Sequence, residues 1–412
     1  GLMFFGWDKL KPVGHLFVTF MVALGTNLSA LWILVANGWM QNPMGAAFNP
    51  DTMRMEVSSF RDVLFNPVAQ AKFVHTVSAG YTAGAMFVMA ISAWYLLRKR
   101  HIDLAKRSMV VAASFGLAAS LSVVVLGDES GYLTTEHQKM KIAAIESMWQ
   151  TEPPPASFNL IAIPNQAERK NDFALEIPYV MGIIGTRSLT TPLLGINELV
   201  ARAETRVRNG IVAYETLRHI RAHPDDQAAR KRFEEIWPDL GYGLLLKRYT
   251  QDLSKATDDQ IHQAAFDTVP NVAPLFWTFR IMVTVGFYLI LFFATAFLLA
   301  SRGRLDVSPR MLKIALWSLP LPWVAIECGW LVAEYGRQPW VIEGVLPTYY
   351  AASGLTLADL AISLAVFLVL YTALLVIGVK VMLRAIRKGP GDASDPLDPA
   401  APGVPGRIPL QA

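Results

Sequence analysis

Apolar residues run in six long blocks separated by polar or basic connectors, each block long enough to cross a hydrocarbon core, which takes about 20 residues as a helix. The blocks are Val13–Val35, Pro67–Leu97, Ser108–Leu126, Pro274–Ala300, Leu312–Ala333 and Leu357–Met382. Charge is unevenly placed between them. Arg98, Lys99, Arg100, Lys106 and Arg107 crowd one connector, and Arg302, Arg304, Arg310 and Lys313 surround another. Basic connectors face the cytoplasm. Six consecutive crossings then bring Lys9 and Lys11, and at the other end Lys380, Arg384, Arg387 and Lys388, to that same side. Residues 36–73, 127–273 and 334–354 fall outside. The pattern predicts an all-α integral membrane protein, a transmembrane helix bundle with one long external loop.

Composition agrees. Hydrophobic residues make up 53% of the 412 and charged residues 17%, with a mean hydropathy of +0.34, too apolar for a soluble chain of this length. The single cysteine, Cys328, excludes an intrachain disulfide and a cysteine-based zinc or iron–sulfur site. The net charge of +4 comes from Lys and Arg beside membrane segments rather than from one basic domain, so it orients the chain and does not indicate nucleic acid. Four regions follow: membrane helices in 1–126, the external loop 127–273, three further helices in 274–387, and a Pro-, Gly- and Ala-rich tail, 388–412, expected to be a disordered cytoplasmic end. The external loop has helical patterns over Ile196–His223 and Gln227–Trp237 and a capping-box start at Thr257-Asp258-Asp259-Gln260, and reads as partly helical and mobile.

Three unusual membrane residues share one depth. His75 lies eight residues after Pro67 and Met282 eight after Pro274, each proline suiting the first turn of a helix entering from outside. Both are then roughly 12 Å in. Glu327 lies nine residues before Gly336, a helix-ending glycine on the same side, and so is roughly 13 Å deep. Imidazole and thioether are both haem-iron ligands, and a haem held by His75 and Met282 would have both axial positions filled, which favours electron transfer over oxygen chemistry. A lone carboxylate such as Glu327 is costly in a membrane and would serve a second, more open site. Arg280 needs an anionic partner, and a haem propionate is one. Trp323 and Trp330 flank Glu327 and could wall a flat macrocycle, with Pro320 and Pro322 interrupting the helix just before.

Each has a plainer reading. A histidine near a membrane end is often an interfacial hydrogen-bonding residue, most of the 15 methionines pack, and Glu327 suits proton relay or helix pairing equally. Lys141 and Glu146 read as a solvated charge pair, and Thr26 and Ser29, at i and i+3, as residues bonding their own helix backbone.

Four longer runs add a resemblance: Asn27–Pro43 (NLSALWILVANGWMQNP), Lys72–Thr76 (KFVHT), Gly127–Tyr132 (GDESGY) and Gly336–Trp340 (GRQPW). Together they resemble subunit I of the cytochrome bd ubiquinol oxidases, up to about Lys388. The resemblance implies that His75 and Met282 are the axial ligands of a low-spin haem b, with Arg280 beside it. It implies that Glu327 belongs to a high-spin haem b next to haem d, where oxygen is reduced, and that Arg337 lies in a cofactor-binding motif. The external loop then corresponds to the quinol loop, with Lys141 and Glu146 in quinol oxidation, Asp128 at its root, and Ser29, with Thr26 beside it, on a proton path. The implied partners are subunit II, small accessory membrane subunits, ubiquinol or menaquinol, oxygen and the bilayer of a bacterial inner membrane.

The family subunit has nine membrane helices, and Gly1-Leu2-Met3-Phe4-Phe5 resembles the end of the third. About a hundred preceding residues, with further haem and proton-path residues, are therefore expected to be missing, and the chain alone is expected not to reduce oxygen. Two other classes stand beside it: a quinone-linked b-type cytochrome without oxygen chemistry, which accounts for His75 and Met282 equally well and is separated by oxygen consumption of the intact complex, and a transporter, which should show paired interrupted helices in two related halves that the chain lacks.

Overall fold

The computed structural model describes residues 1–6, 9–304 and 308–389; the expectation of a disordered tail falls, from 390 on, outside the described residues. Among the described residues six helical spans are long and apolar enough to cross a membrane, as the apolar blocks predict. They are α1 (Pro12–Gln41), α2 (Pro67–Leu97), α3 (Ile102–His137), α9 (Val272–Ser301), the pair α10 (Pro309–Trp317) and α11 (Leu321–Tyr335), and α12 (Leu357–Lys388). The fifth span is broken at residues 318–320 because prolines 320 and 322 cannot donate the hydrogen bonds that would continue it. Helix α2 coincides with its apolar block, α12 overruns its block only at the C-terminal end, and the other spans overrun at both ends, since polar residues continue a helix beyond the hydrocarbon region.

By internal contacts the chain forms two units. The first comprises residues 1–84, 115–294 and 320–352 and holds every candidate site residue. The second takes, of the described residues, those in 85–114, 295–319 and 353–389, and gathers the basic connectors. Within it, the Tyr95 hydroxyl donates to Ile386 O at 2.8 Å and Arg100 Nη1 to Arg387 O at 3.0 Å.

Residues 127–273 are more ordered than a mobile loop. The short helix α4 (Lys139–Ile145) is followed by an antiparallel hairpin, Phe158–Asn165 paired with Lys170–Ile177, and by α5 (Ile196–Ala222), α6 (Gln227–Ile236), α7 (Leu240–Leu245) and α8 (Asp258–Phe266). Helix α5 buries Ile196, Val200, Ala203 and Val207, one face at helical spacing, against Ala143, Trp149, Leu245, Leu253 and Ile261. The same core takes in Leu275 of α9, Val332 of α11 and Trp340. Helices α5 and α7 meet glycine to glycine, where a Cβ on Gly210 would lie 2.2 Å from Gly243 N. The side-chain caps Asp226 and Thr257 start α6 and α8, the second as a full capping box.

Candidate functional site: a buried polar cluster beneath the external cap

Lysine 141 is 5% exposed, because α4 lies under the helices of residues 196–266 rather than in solvent. Its ammonium donates to Gln41 Oε1 at 2.9 Å, Ala333 O at 2.9 Å and Gln138 Oε1 at 3.3 Å, partners drawn from α1, α11 and the end of α3. Gln41 Nε2 in turn donates to Asn37 Oδ1 at 3.2 Å, and Lys72 Nζ donates to the same oxygen at 2.9 Å. Asn37 Nδ2 reaches Glu334 Oε1 at 2.8 Å, and Arg337 Nη2 pairs with Glu334 Oε2 at 2.5 Å. Across Gln138, Nε2 donates to Glu343 Oε2 at 3.1 Å. Three cations thus face two carboxylates. Burial drives the Lys141 ammonium down to about 8, opposed by Glu343 and Glu334, and drives Glu343 up to about 7, opposed by Gln138, Lys141, Arg337 and Arg206.

Glu146 does not pair with Lys141, five residues before it. It is 2% exposed and bound to Arg280, Nη2 to Oε2 at 2.7 Å. Arg280 also donates to Ile145 O at 2.7 Å and Asn159 O at 2.5 Å and lies 3.8 Å over the Phe276 ring. The anionic partner expected for Arg280 as a haem propionate is therefore supplied by the chain itself, and Arg280 keeps only Nε unsatisfied. Burial pushes the Glu146 carboxyl up, and Arg280 pulls it back. A solvated Lys141–Glu146 pair is corrected to two separate buried sites.

His75 and Met282 each face a glycine on a neighbouring span. A Cβ on Gly127 would stand 3.2 Å from His75 Cε1, and one on Gly329 2.9 Å from Met282 Sδ. His75 Nδ1 is buried without a well-formed hydrogen bond, the Val123 main chain being the group that faces it. Arg337 Nε and Nη1 are buried donors with no partner among the described residues. An imidazole and a thioether beside glycine-made space, with unpaired guanidinium donors in the same unit, fit a haem and its propionates.

On α11, Trp323, Glu327 and Trp330 share one exposed face at four- and three-residue spacing, the tryptophans 56% and 49% exposed, and Glu334 continues it one step inward. Glu327 has no ion pair or hydrogen bond among the described residues, whereas Glu334, which sequence reasoning passed over, is the carboxylate of this helix held in the cluster. Its signal was the heptad step from Glu327. Asp128 lies away from the cluster, in a half-exposed clamp where Arg187 binds Asp128 Oδ2 at 3.0 Å and Glu129 Oε2 at 2.7 Å. Thr26 bonds its own helix at Val22 O, 2.7 Å, and Ser29 is exposed on the same span.

The fold and this site define a polytopic helical membrane protein with a buried ionisable cluster beneath a helical cap. The sequence matches the family described as cytochrome bd terminal oxidase subunit I over residues 1–390. It is 49% identical over 390 residues to the cytochrome bd-II ubiquinol oxidase subunit 1 of Escherichia coli, covering 95% of this chain and 76% of that protein. It is 28% identical to the cytochrome bd ubiquinol oxidase subunit 1 of Bacillus subtilis, covering 94% and 71%. The bd oxidase structure from Geobacillus thermodenitrificans superposes with a TM-score of 0.70 at 22% identity, covering 95% of this chain and 74% of that one, a likeness of fold. The chain belongs to the cytochrome bd terminal oxidase subunit I family.

Proposed function

We propose that the buried cluster around Lys141, together with Glu146, is where this subunit engages quinol at the outer membrane face. The chain is subunit I of a cytochrome bd-type ubiquinol oxidase, a quinol:oxygen oxidoreductase of the membrane that works with a subunit II and carries haem. The observation that carries the site reading is the Lys141 ammonium, sunk beneath the cap and held by three neutral oxygens, one from α1, one from α11 and one from Gln138 between α3 and α4. A quinone oxygen that takes the place of one of these acceptors would receive a charge-assisted hydrogen bond from that ammonium, and Glu146, oriented by Arg280, offers a fixed carboxylate at the end of the same short helix. The cap core excludes water from both, which strengthens each charge–dipole contact.

Haem, when bound, supplies the one-electron steps and the oxygen reduction. His75 and Met282 would hold the low-spin haem b, with Arg337 offering unpaired donors to its carboxylates. The Trp323–Glu327–Trp330 face would border the high-spin haem b and haem d. Ser29 and Thr26 would serve the proton path, and Asp128, clamped by Arg187, would fix the root of the quinol loop. The intact assembly would include small accessory subunits, sit in a bacterial inner membrane, and oxidise ubiquinol or menaquinol. Releasing quinol protons outside while protons for water come from the cytoplasm builds a gradient without a pump.

The test is Lys141→Met in the intact complex. Quinol KM is expected to rise about tenfold or more, one buried charge-assisted hydrogen bond being worth roughly 1.5–3 kcal/mol. An unchanged KM would remove the site from the cluster.

A further inference from the structure

Glu343 was not among the residues singled out from sequence, yet it occupies a distinctive place. It sits in the turn between two short strands, Trp340–Ile342 and Leu346–Pro347, and its backbone N–H is tied to Met40 O at 2.9 Å. Its carboxylate accepts from Gln138 Nε2, and Gln138 Oε1 accepts from Lys141 Nζ, so one neutral amide separates the ammonium from the carboxylate. Lys141 from α4, Arg337 after α11 and Arg206 from α5 are the cations that act on it. Tyr242 of α7 also feels its charge. Arg206 lies 4.0 Å over the Tyr242 ring, pairs with Asp239 at 2.6 Å, and leaves 40% of its own side chain in solvent. Glu343 is therefore within electrostatic reach of both the buried ammonium and Arg206, a cation partly open to solvent.

The other carboxylates nearby are committed. Glu146 is in an ion pair with Arg280, and Glu334 receives both Arg337 and Asn37. Glu343 receives a neutral donor and no direct cation among the described residues. We propose that Glu343 is a proton-relay residue for quinol oxidation, taking protons released beside Lys141 and returning them to water at the Arg206–Asp239 edge. The inference rests on the reading that quinol is engaged at Lys141. Oxidising one quinol breaks two O–H bonds and yields a quinone, two electrons and two protons. The electrons go to the acceptor of the established oxidase reaction, and each proton adds in turn to the Glu343 carboxylate, which external water then deprotonates. A carboxyl held up to about 7 exchanges protons in both directions near neutral pH.

The experiment uses the intact complex with a short-chain ubiquinol and compares Glu343→Gln, Glu343→Asp and Lys141→Met across pH 6 to 8. In the unmutated complex kcat is expected to rise as a group near 7 loses its proton. Glu343→Gln should abolish that limb and lower kcat about tenfold or more while leaving KM within about twofold, and Glu343→Asp should restore the limb. An infrared carboxyl band titrating near pH 7 and missing from Glu343→Gln is the readout independent of turnover. A persistent limb and band in Glu343→Gln overturn the relay. If Lys141→Met leaves KM unchanged, the site reading itself fails. If Lys141→Met raises KM and Glu343→Gln leaves the profile intact, the relay alone fails. Should Glu343→Gln not assemble, the infrared titration of the unmutated complex and the Glu343→Asp profile decide, and absence of a band near pH 7 overturns the proposal.

Discussion

Replacing Arg280 by Leu should destabilise the chain by about 3–5 kcal/mol, the cost of leaving one member of a buried ion pair without the other. Here the pair is close to fully buried, with side-chain exposures of 10% and 2%. The guanidinium also satisfies two backbone carbonyls, Ile145 O and Asn159 O, so its loss orphans three acceptors at once. Part of the penalty is relieved because Glu146, already pushed up by burial, will take a proton when Arg280 no longer opposes it. The measured loss is therefore expected toward the lower end, about 3 kcal/mol, or more than a hundredfold in the unfolding equilibrium. Urea melts of the detergent-solubilised complex, run for Arg280→Leu, Glu146→Leu and the double variant, isolate the pair. The double variant should be less destabilised than the sum of the singles by at least about 1 kcal/mol. Additivity within about 0.3 kcal/mol would refute the ion pair as the organising contact.

Three further outcomes follow from the same geometry. A reduced-minus-oxidised spectrum should lose the low-spin haem b signal in both His75→Ala and Met282→Leu, and survival in both would refute the ligand pair. Gly38→Ala should cost about 1–3 kcal/mol in thermal melts, because its Cβ would fall 2.5 Å from Ala69 Cα where α1 and α2 touch; an unaltered melt would contradict that contact. Glu343 is raised from 4.5 to about 7, so the folded chain binds more protons than the unfolded one across that window, and its contribution to stability shrinks as pH rises through it. Compared with Glu343→Gln, the unmutated protein should lose stability between pH 5 and pH 8 in urea melts, and parallel curves would count against burial of that carboxylate.

The spans were legible because membrane thickness imposes length on an apolar block, and Pro320 and Pro322 announced the break in the fifth. His75 and Met282 stood out as rare residues at equal depth. Chemistry that depends on distant chain segments was hidden. Arg280 and Glu146 are 134 positions apart, and an unpaired membrane arginine invited a cofactor as its counter-ion when a chain carboxylate held that place. Glu343 sits in a polar connector that reads as solvated, and its partial burial arises only once Gln138 binds its carboxylate and Arg206 and Tyr242 gather near it. The hairpin Phe158–Asn165/Lys170–Ile177 was missed because its burial alternates weakly, leaving little period-two signal.

The core beneath the cap has a consequence for biogenesis. Its members run from Ala143 through Val272 to Val332 and Trp340, so its last strand of chemistry is translated well after its first. At about 5–20 residues per second, the interval between Val272 and Trp340 lasts roughly 3–14 s. During that interval two further spans are made while the α5 and α8 faces lack part of their core. The cap is thus a late-closing structure, its core complete only once α9 and α11 are in place.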